Sequence, residues 1–93
     1  MATKLTDDAL EQALTDSAWS LQNGKLQRKF KFNSFVQAFG FLTQVAIHAE
    51  KMNHHPEIYN VYNNVTIDLV THDVDGISEL DLELAKIIDT LAT

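Results

Sequence analysis

Apolar residues recur along this chain in two spacings, which divide it into helical and extended stretches. A spacing of roughly three to four positions predicts an amphipathic helix, and alternation at every second position predicts a half-buried strand. The first helical stretch offers Thr6 as an N-cap, with Asp7 and Asp8 in the first turn, where carboxylates interact favourably with the helix dipole. Its apolar side is formed by Leu10, Ala13 and Leu14. The chain is therefore predicted to begin with a short amphipathic helix.

The next two stretches are extended and are predicted to form a β-hairpin. They run from Trp19 to Leu21 and from Lys25 to Phe32, and Asn23-Gly24 between them favours a tight turn because both residues tolerate a positive φ. In the second stretch two sets of side chains alternate, namely Lys25, Gln27, Lys29 and Lys31 with Leu26, Arg28, Phe30 and Phe32. This alternation predicts a strand with one solvated face.

A long helix is predicted to begin after a cap at Asn33 or Ser34 and to continue to about Met52. It should end before His55, because Pro56 biases the residue that precedes it towards an extended conformation. The predicted core positions of this helix are Phe35, Ala38, Phe39, Leu42, Val45, Ala46 and Ala49, and Phe41 and Ile47 widen the apolar band. A band this wide is more than one sheet face readily covers, which favours self-association.

The last third of the chain predicts a second hairpin and a final helix. The strands are expected over Ile58 to Tyr62 and Asn64 to Thr71, with a turn at Asn63-Asn64. Ser78, with Asp81 three residues later, then resembles a capping box. The helix that follows carries its apolar residues on one side: Leu80, Leu84, Ile87, Ile88 and Leu91.

The predicted order of elements is α-β-β-α-β-β-α. Two hairpins separated by a helix predict an α+β fold, a four-stranded antiparallel sheet with three helices packed on one face. The 93 residues are enough for a single domain, here expected to span 1–93. A domain this small buries a modest share of its surface, and its exposed strand edges invite pairing, so we expect a homo-oligomer.

Composition and charge narrow the function classes. The chain has no cysteine, which excludes disulfides, thiolate metal ligands and a cysteine nucleophile. The formal net charge of −6 disfavours direct nucleic-acid binding. No stretch is long and apolar enough for a membrane span and the polar N-terminus is unlike a signal peptide, so we expect a cytoplasmic protein, or one also found in the nucleus of a eukaryote.

Candidate chemistry is concentrated in the segment Glu50-Lys51-Met52-Asn53-His54-His55-Pro56 and in Tyr62, His72 and Asp81 after it. Three of the four histidines fall in this pattern, and only His48 lies outside it. Histidine has an ordinary pKa of about 6.5, so it exchanges protons near neutral pH. Each residue alone also has a structural interpretation: His54 as a partner of the helix dipole, Asp81 as a helix-capping carboxylate, Trp19 and Tyr62 as core residues. The concentration of the three histidines favours a chemical site.

The ordered set resembles the signature of the pterin-4a-carbinolamine dehydratase family, which has an acidic residue, a His-His-Pro, an aromatic residue, a later His and a later Asp. The likeness covers nearly the whole chain, from Leu5 to Leu91. It includes Phe39-Gly40-Phe41, Asn60-Val61-Tyr62-Asn63 and Gly76-Ile77-Ser78-Glu79.

This resemblance implies dehydration of 4a-hydroxytetrahydrobiopterin to quinonoid dihydrobiopterin, a step that recycles the pterin cofactor. It implies that the catalytic residues are His54, His55 and His72, lining one concave site. The residues expected to bind the pterin are Glu50, Asn53, Thr71, Asp81 and Trp19; among them, Glu50 and Asp81 would accept hydrogen bonds from ring N–H groups and Trp19 would form part of an apolar wall. No cofactor and no metal are expected, and the family's subunits pair by sheet extension and through helices into dimers and tetramers.

The chain departs from animal members of the family at three places. Asn53 stands where they have Asp, Ile58-Tyr59 where they have Trp-Phe, and Leu80 where they have Arg beside the last Asp. Two alternatives stay open from the sequence. One is a non-catalytic dimerisation cofactor of a transcription factor, a role of animal members. The other is a metal enzyme using the three histidines and Glu50 as ligands.

Overall fold

The computed structural model describes residues 2–93 of the chain. Its helices are α1 (Asp7–Leu14), α2 (Phe35–Met52) and α3 (Glu79–Leu91), and its strands are β1 (Ser20–Gln22), β2 (Lys25–Lys31), β3 (Glu57–Val61) and β4 (Asn64–Leu69). One 3₁₀ turn, His72–Val74, lies between β4 and α3. The predicted α+β order, α-β-β-α-β-β-α, is thereby confirmed. None of the helices in residues 2–93 is both long and apolar enough to cross a membrane.

The four strands form one antiparallel sheet in the order β1-β2-β4-β3. The two hairpins meet along β2 and β4, whose register pairs Leu26 with Leu69 and Phe30 with Val65. Side chains on one face of this central pair are buried against the helices, including Leu26, Phe30, Val65, Ile67 and Leu69. The opposite face carries the polar residues of the same strands, as their alternation predicts.

The two hairpin turns differ in how well they were predicted. Asn23 and Gly24 adopt φ angles of 54° and 79°, so the first turn lies where expected. The second turn is formed by Tyr62 and Asn63, one residue earlier than predicted, since Asn64 already pairs with Val61 in the strand ladder. Asn63 is tied to the end of β2: its carbonyl accepts from the Phe32 N–H at 2.9 Å and its side-chain amide donates to the Phe32 carbonyl at 2.7 Å. This contact between hairpins fixes the turn.

Helix α2 buries a narrower stripe than predicted. The buried residues are Ala38, Phe41, Leu42, Val45 and Ala49, which recur at helical spacing. Predicted core positions Phe35, Phe39 and Ala46 are instead exposed, with 56% of Phe39 accessible. The physical reason is that Phe41 faces the sheet, its ring centroid 5.0 Å from that of Phe30 and 4.9 Å from that of Phe32. With Phe41 against the sheet, Phe35, Phe39 and Ala46 lie on parts of the helix surface that the sheet does not cover.

Helix α3 begins at a predicted capping box. The Ser78 side chain accepts from backbone N–H groups of the first turn, and the Asp81 carboxylate accepts from the Ser78 N–H at 2.9 Å. The N-terminal segment braces this start, because the Leu5 N–H donates to the Ile77 carbonyl at 2.8 Å and Lys4 pairs with Ser78 as an isolated bridge. The beginning of α3 is therefore held from two sides.

Candidate functional site

The end of α2 separates the two adjacent histidines. Asn53 adopts a left-handed conformation, with φ 52° and ψ 42°, and its N–H donates to the Ala49 and Glu50 carbonyls. Asparagine is one of the few residues that tolerate this conformation at a helix end. The chain turns sharply there, and it enters β3 directly after Pro56. As a result, His54 is buried against α3, whereas His55 is exposed.

His54 forms a buried pair with Asp81. Its Nε2 lies 2.6 Å from Asp81 Oδ1, and the two residues are 27 positions apart in the chain. Only 10% of the His54 side chain and none of the Asp81 side chain is accessible to solvent. No hydrogen bond within residues 2–93 involves His54 Nδ1, and no buried side-chain nitrogen or oxygen in that range lacks a partner. The Nδ1 atom therefore reaches the surface.

Both carboxylate oxygens of Asp81 are in contact with protein groups. Its Oδ2 accepts from the Thr71 hydroxyl at 2.7 Å and from the Ser78 N–H at 2.9 Å, while Oδ1 faces His54. The Thr71 and Ser78 hydroxyl oxygens are themselves 2.7 Å apart. This arrangement differs from the expectation that Asp81 accepts directly from a substrate N–H, because the carboxylate is fully buried and both oxygens are occupied. Thr71, also buried, likewise faces Asp81 and not the surface.

His55 and Glu50 form a second pair at the surface. His55 Nε2 lies 2.8 Å from Glu50 Oε1, on the last turn of α2. The accessible fractions of the two side chains are 58% and 81%, so both are within reach of a ligand. Asn53, between them in the sequence, is exposed as well. Contacts between exposed side chains contribute little to stability, so both side chains are available to contact a ligand.

His72 does not directly follow a strand, although the preceding strand was predicted to reach Thr71. Strand β4 ends at Leu69, and His72 opens the 3₁₀ turn that leads towards α3. Thr71, just before it, makes only an isolated bridge with Gly76, which closes the loop around this turn. The His72 side chain is 80% accessible, and its Nε2 lies 3.8 Å from Glu57 Oε2. His72 is thus an exposed histidine beside a carboxylate.

A charged contact beside His72, between Glu57 and Lys25, was not predicted from the sequence. Glu57 begins β3, and its Oε1 accepts from Lys25 Nζ at 2.7 Å, in addition to the proximity of its other oxygen to His72. The hydrogen bond to Glu57 is the largest cause that raises the pKa of Lys25 above 10.5; desolvation opposes it, and the charges of Glu57 and Asp68 add to it. The signal for Glu57 was its place directly after Pro56, but its partners lie on other elements, Lys25 on β2 and His72 in the 3₁₀ turn.

The contacts bring two connections of the chain together at one end of the sheet. The α2–β3 junction, with the first residue of β3, reaches the β4–α3 connection, with the first turn of α3, at two points: His54 contacts Asp81, and Glu57 lies near His72. His55 lies between these two points in the sequence. The three histidines therefore belong to one region, in which one imidazole is buried and two are exposed. Such a region can exchange protons with a bound molecule.

Trp19 is not part of this region in the single chain. Its side chain is buried, its Nε1 donates to Asp89 Oδ1 at 2.7 Å, and its ring packs edge-on against Phe30. Asp89 lies eight residues beyond Asp81 on α3. At about 1.5 Å of rise per residue this is about 12 Å along the helix axis. The structure thus gives Trp19 a place in the core and does not bring it to the histidines.

Metal ligation was the alternative use of these side chains. Within residues 2–93, no group of three or more His, Cys, Asp or Glu side chains is arranged to hold a metal ion.

Comparison with known proteins identifies relatives of the whole chain. The family model described as pterin 4 alpha carbinolamine dehydratase matches residues 3–91. A protein of Solibacter usitatus whose name places it in the same family is 54% identical over 93 residues, covering 99% of this chain and 98% of its own. A second such relative, from Prochlorococcus marinus, is 52% identical over 91 residues, with 97% and 95% covered.

Solved structures give the same result at the level of the fold. The crystal structure of a transcriptional coactivator/pterin dehydratase from Brucella melitensis matches with a TM-score of 0.93 and 39% identity, covering 98% of this chain and 100% of the other. A pterin dehydratase-like protein identified as a RuBisCO assembly factor in the alpha-carboxysome matches with a TM-score of 0.71 and 28% identity, over 81% and 89%. Taken with the matched family model and the relatives at about half identity, these likenesses show that the chain belongs to the pterin-4-alpha-carbinolamine dehydratase family.

Proposed function

We propose that this protein dehydrates 4a-hydroxytetrahydrobiopterin to quinonoid dihydrobiopterin and water, as a step in the recycling of tetrahydrobiopterin. The observation that carries the proposal is the joining of the α2–β3 junction to the β4–α3 connection, which gathers His54, His55 and His72 at one end of the sheet. Family membership supplies the substrate class. The proposal needs no cofactor, because elimination of water moves no electrons to or from the protein.

The reaction requires two proton transfers. The bond between C4a and the hydroxyl oxygen breaks as that oxygen takes a proton, and the N5–H bond gives up its proton while its electron pair forms the C4a–N5 double bond. The products are water and the quinonoid dihydropterin. A positioned acid or base typically contributes roughly 10²–10⁴-fold to such a step. His55 and His72, both exposed and each beside a carboxylate, suit direct contact with the substrate.

The remaining assignments follow from exposure. Glu50 and Asn53 are exposed next to His55, and we assign them to binding the edge of the pterin ring. Thr71 and Asp81 are buried, so their contribution would be made through His54. A pterin-contacting role for Trp19 would need a surface that the single chain does not offer, because its side chain is buried.

The test is a stopped-flow assay of dehydration with synthetic 4a-hydroxytetrahydropterin. His55→Ala and His72→Ala should each lower turnover by at least about tenfold, since each removes one proton-transfer group. The circular-dichroism spectrum should be unchanged because both side chains are exposed. His48→Ala is the matched control, removing a histidine of α2 outside the cluster. Wild-type turnover in both variants would show that the acid–base assignment is wrong.

A second candidate is an interaction role, as a dimerisation cofactor of a transcription factor. It is favoured by the exposed apolar side chains of α2, namely Phe35, Val36, Phe39 and Ile47, and by the coactivator name of the Brucella relative. The same surface suits self-association into a dimer or tetramer. Pterin turnover by the isolated chain separates the enzyme from a purely non-catalytic partner.

A further inference from the structure

Four buried polar residues lie together at the start of α3 and beside it. Within residues 2–93, the buried polar or charged side chains are those of His54, Thr71, Ser78 and Asp81, and all four contact one another in a single network. Burying polar groups is costly unless each is hydrogen-bonded. The core cluster consists of apolar and aromatic residues. A buried polar network whose members are all hydrogen-bonded fixes a unique arrangement of its side chains.

Each hydrogen bond in the network is donated in the direction of Asp81. The Thr71 hydroxyl donates to Asp81 Oδ2, and a hydroxyl has one hydrogen to give. The 2.7 Å contact between the hydroxyls of Ser78 and Thr71 must therefore be donated by Ser78. Ser78 Oγ in turn accepts from the Leu80 N–H at 3.2 Å. The chain of donors thus begins at the backbone of α3 and ends on the carboxylate.

The direction of these bonds determines which nitrogen of His54 carries a hydrogen. The Ser78 N–H also donates to Oδ2, and an ionised carboxylate has no hydrogen of its own, so it acts only as an acceptor. The 2.6 Å contact with Oδ1 must then be donated by His54 Nε2. A neutral imidazole with a hydrogen on Nε2 has its lone pair on Nδ1. This is the nitrogen that lacks a protein partner within residues 2–93 and reaches the surface.

We infer that Thr71 and Ser78 are positioning residues that hold Asp81, and that Asp81 thereby fixes His54 in the tautomer with hydrogen on Nε2 and a proton-accepting Nδ1 facing the site. The catalytic consequence rests on the proposed function: Nδ1 would take the proton from N5, and the imidazolium so formed would keep its Nε2–H bond to Asp81. The departing hydroxyl would receive its proton from the exposed pair of histidines, His55 and His72. The positive charge on the His54 imidazolium would then be stabilised by Asp81 without movement of the imidazole ring.

Asp81→Asn gives a decisive test, because the network also determines how an asparagine must sit. The donors from Thr71 and Ser78 require its carbonyl oxygen at the Oδ2 position, which turns its NH₂ group towards His54. His54 Nε2 would have to accept, and the hydrogen would move to Nδ1. The measurement is the imidazole ¹⁵N chemical shifts of labelled protein, at a pH where the same spectra show His54 to be neutral.

We expect hydrogen on Nε2 in the wild type and on Nδ1 in Asp81→Asn. Hydrogen on Nδ1 in the wild type, or an unchanged tautomer in the variant, would overturn the inference. The readout does not depend on any substrate. If the wild-type protein failed to turn over the pterin while the tautomer reversed as expected, the proposed function would fail and the inference about His54 would stand.

Thr71→Val tests the positioning role separately, with Thr71→Ser as the matched variant that restores the hydroxyl. Valine removes the donor to Asp81 while nearly keeping the shape of the side chain. We expect kcat to fall by at least about tenfold with little change in KM, together with altered His54 ¹⁵N shifts, and recovery of both in Thr71→Ser. Wild-type shifts in Thr71→Val would contradict the role. If the valine variant does not fold, the tautomer in Asp81→Asn still decides.

Discussion

At the scale of single residues, chemistry here is divided between one buried histidine and two exposed ones. His54 contacts a fully buried carboxylate, whereas His55 and His72 stand at the surface beside Glu50 and Glu57. The exposed pairs are open to a ligand, whereas in the buried pair only His54 Nδ1 is left without a protein partner within residues 2–93. This division assigns the orientation of His54 to its buried Nε2 side and leaves its Nδ1 and the two exposed histidines for the substrate.

The same residues lead to a prediction about metals. Elimination of water can be served by proton transfer alone. Prolonged treatment with EDTA is therefore expected to leave the fold and the dehydratase rate unchanged within about twofold. The measurement is turnover before and after treatment, with circular dichroism as the control for folding. Activity that is lost and then restored by zinc would favour the metal enzyme instead.

Individual residues also show where prediction from sequence reaches its limit. Asn53 and Pro56 act locally, so the end of α2 between Met52 and His55 could be predicted. The pairing of His54 with Asp81 joins residues 27 positions apart, and periodicity carries no information about it. Lys25 and Glu57 meet across 32 positions, and periodicity predicts neither this contact nor the proximity of Glu57 to His72.

At the scale of elements, the start of α3 serves both the fold and the site. Ser78 caps the helix, and Asp81, the third residue of the helix, also binds His54. Substitutions in the first turn of α3 are therefore expected to lower the free energy of unfolding more than substitutions at an ordinary helix end.

Ser78→Ala tests this, with Thr6→Ala as the matched loss of an N-cap on α1. Thr6 is exposed and caps only through the Ala9 N–H, so its loss should lower the free energy of unfolding by about 1 kcal/mol or less. Loss of Ser78 should cost about 2–3 kcal/mol, because it also leaves a buried hydroxyl of Thr71 without its donor. Urea denaturation measures both. Equal losses of unfolding free energy in the two variants would show that the contact between Ser78 and Thr71 adds no stability beyond helix capping.

Elements that depend on local signals were predicted well, and their orientations less so. The capping box of α3 and the Asn23-Gly24 turn follow from a few adjacent residues. The rotation of α2 does not, since Phe35, Phe39 and Phe41 are equally apolar and only packing against Phe30 and Phe32 selects Phe41. The second turn was misplaced for the same reason, because Asn63 is held by the backbone of Phe32, 31 positions away and directly after β2.

At the scale of the whole molecule, a large apolar surface remains uncovered in the single chain. Phe35, Phe39 and Ile47 on α2 are each about half accessible, and Ile58 on the edge strand β3 lies in the same groove as Phe39. Exposed apolar patches of this kind mark interaction sites, and an unpaired strand edge invites pairing. We therefore propose a homo-oligomer, a tetramer or else a dimer.

Light scattering at micromolar concentration tests the assembly. The expected mass is a multiple of 10.5 kDa, and the mass of one chain would exclude self-association. Phe39→Glu should lower the mass while the circular-dichroism spectrum is retained, because this side chain is exposed. Phe41→Glu should instead unfold the protein, because its ring is buried against β2. A folded Phe39→Glu variant with unchanged mass would show that the interface lies elsewhere on the protein.

The double contact of Asp81 has a consequence for how relatives of this protein are interpreted. A relative that had lost catalysis could keep this aspartate for its fold alone, because the carboxylate accepts from the Ser78 N–H at the start of α3. Its presence in a new sequence would therefore report an intact helix start as much as an active enzyme. His55 and His72 make no comparable contribution to the interior, so their retention is the better criterion for assigning activity.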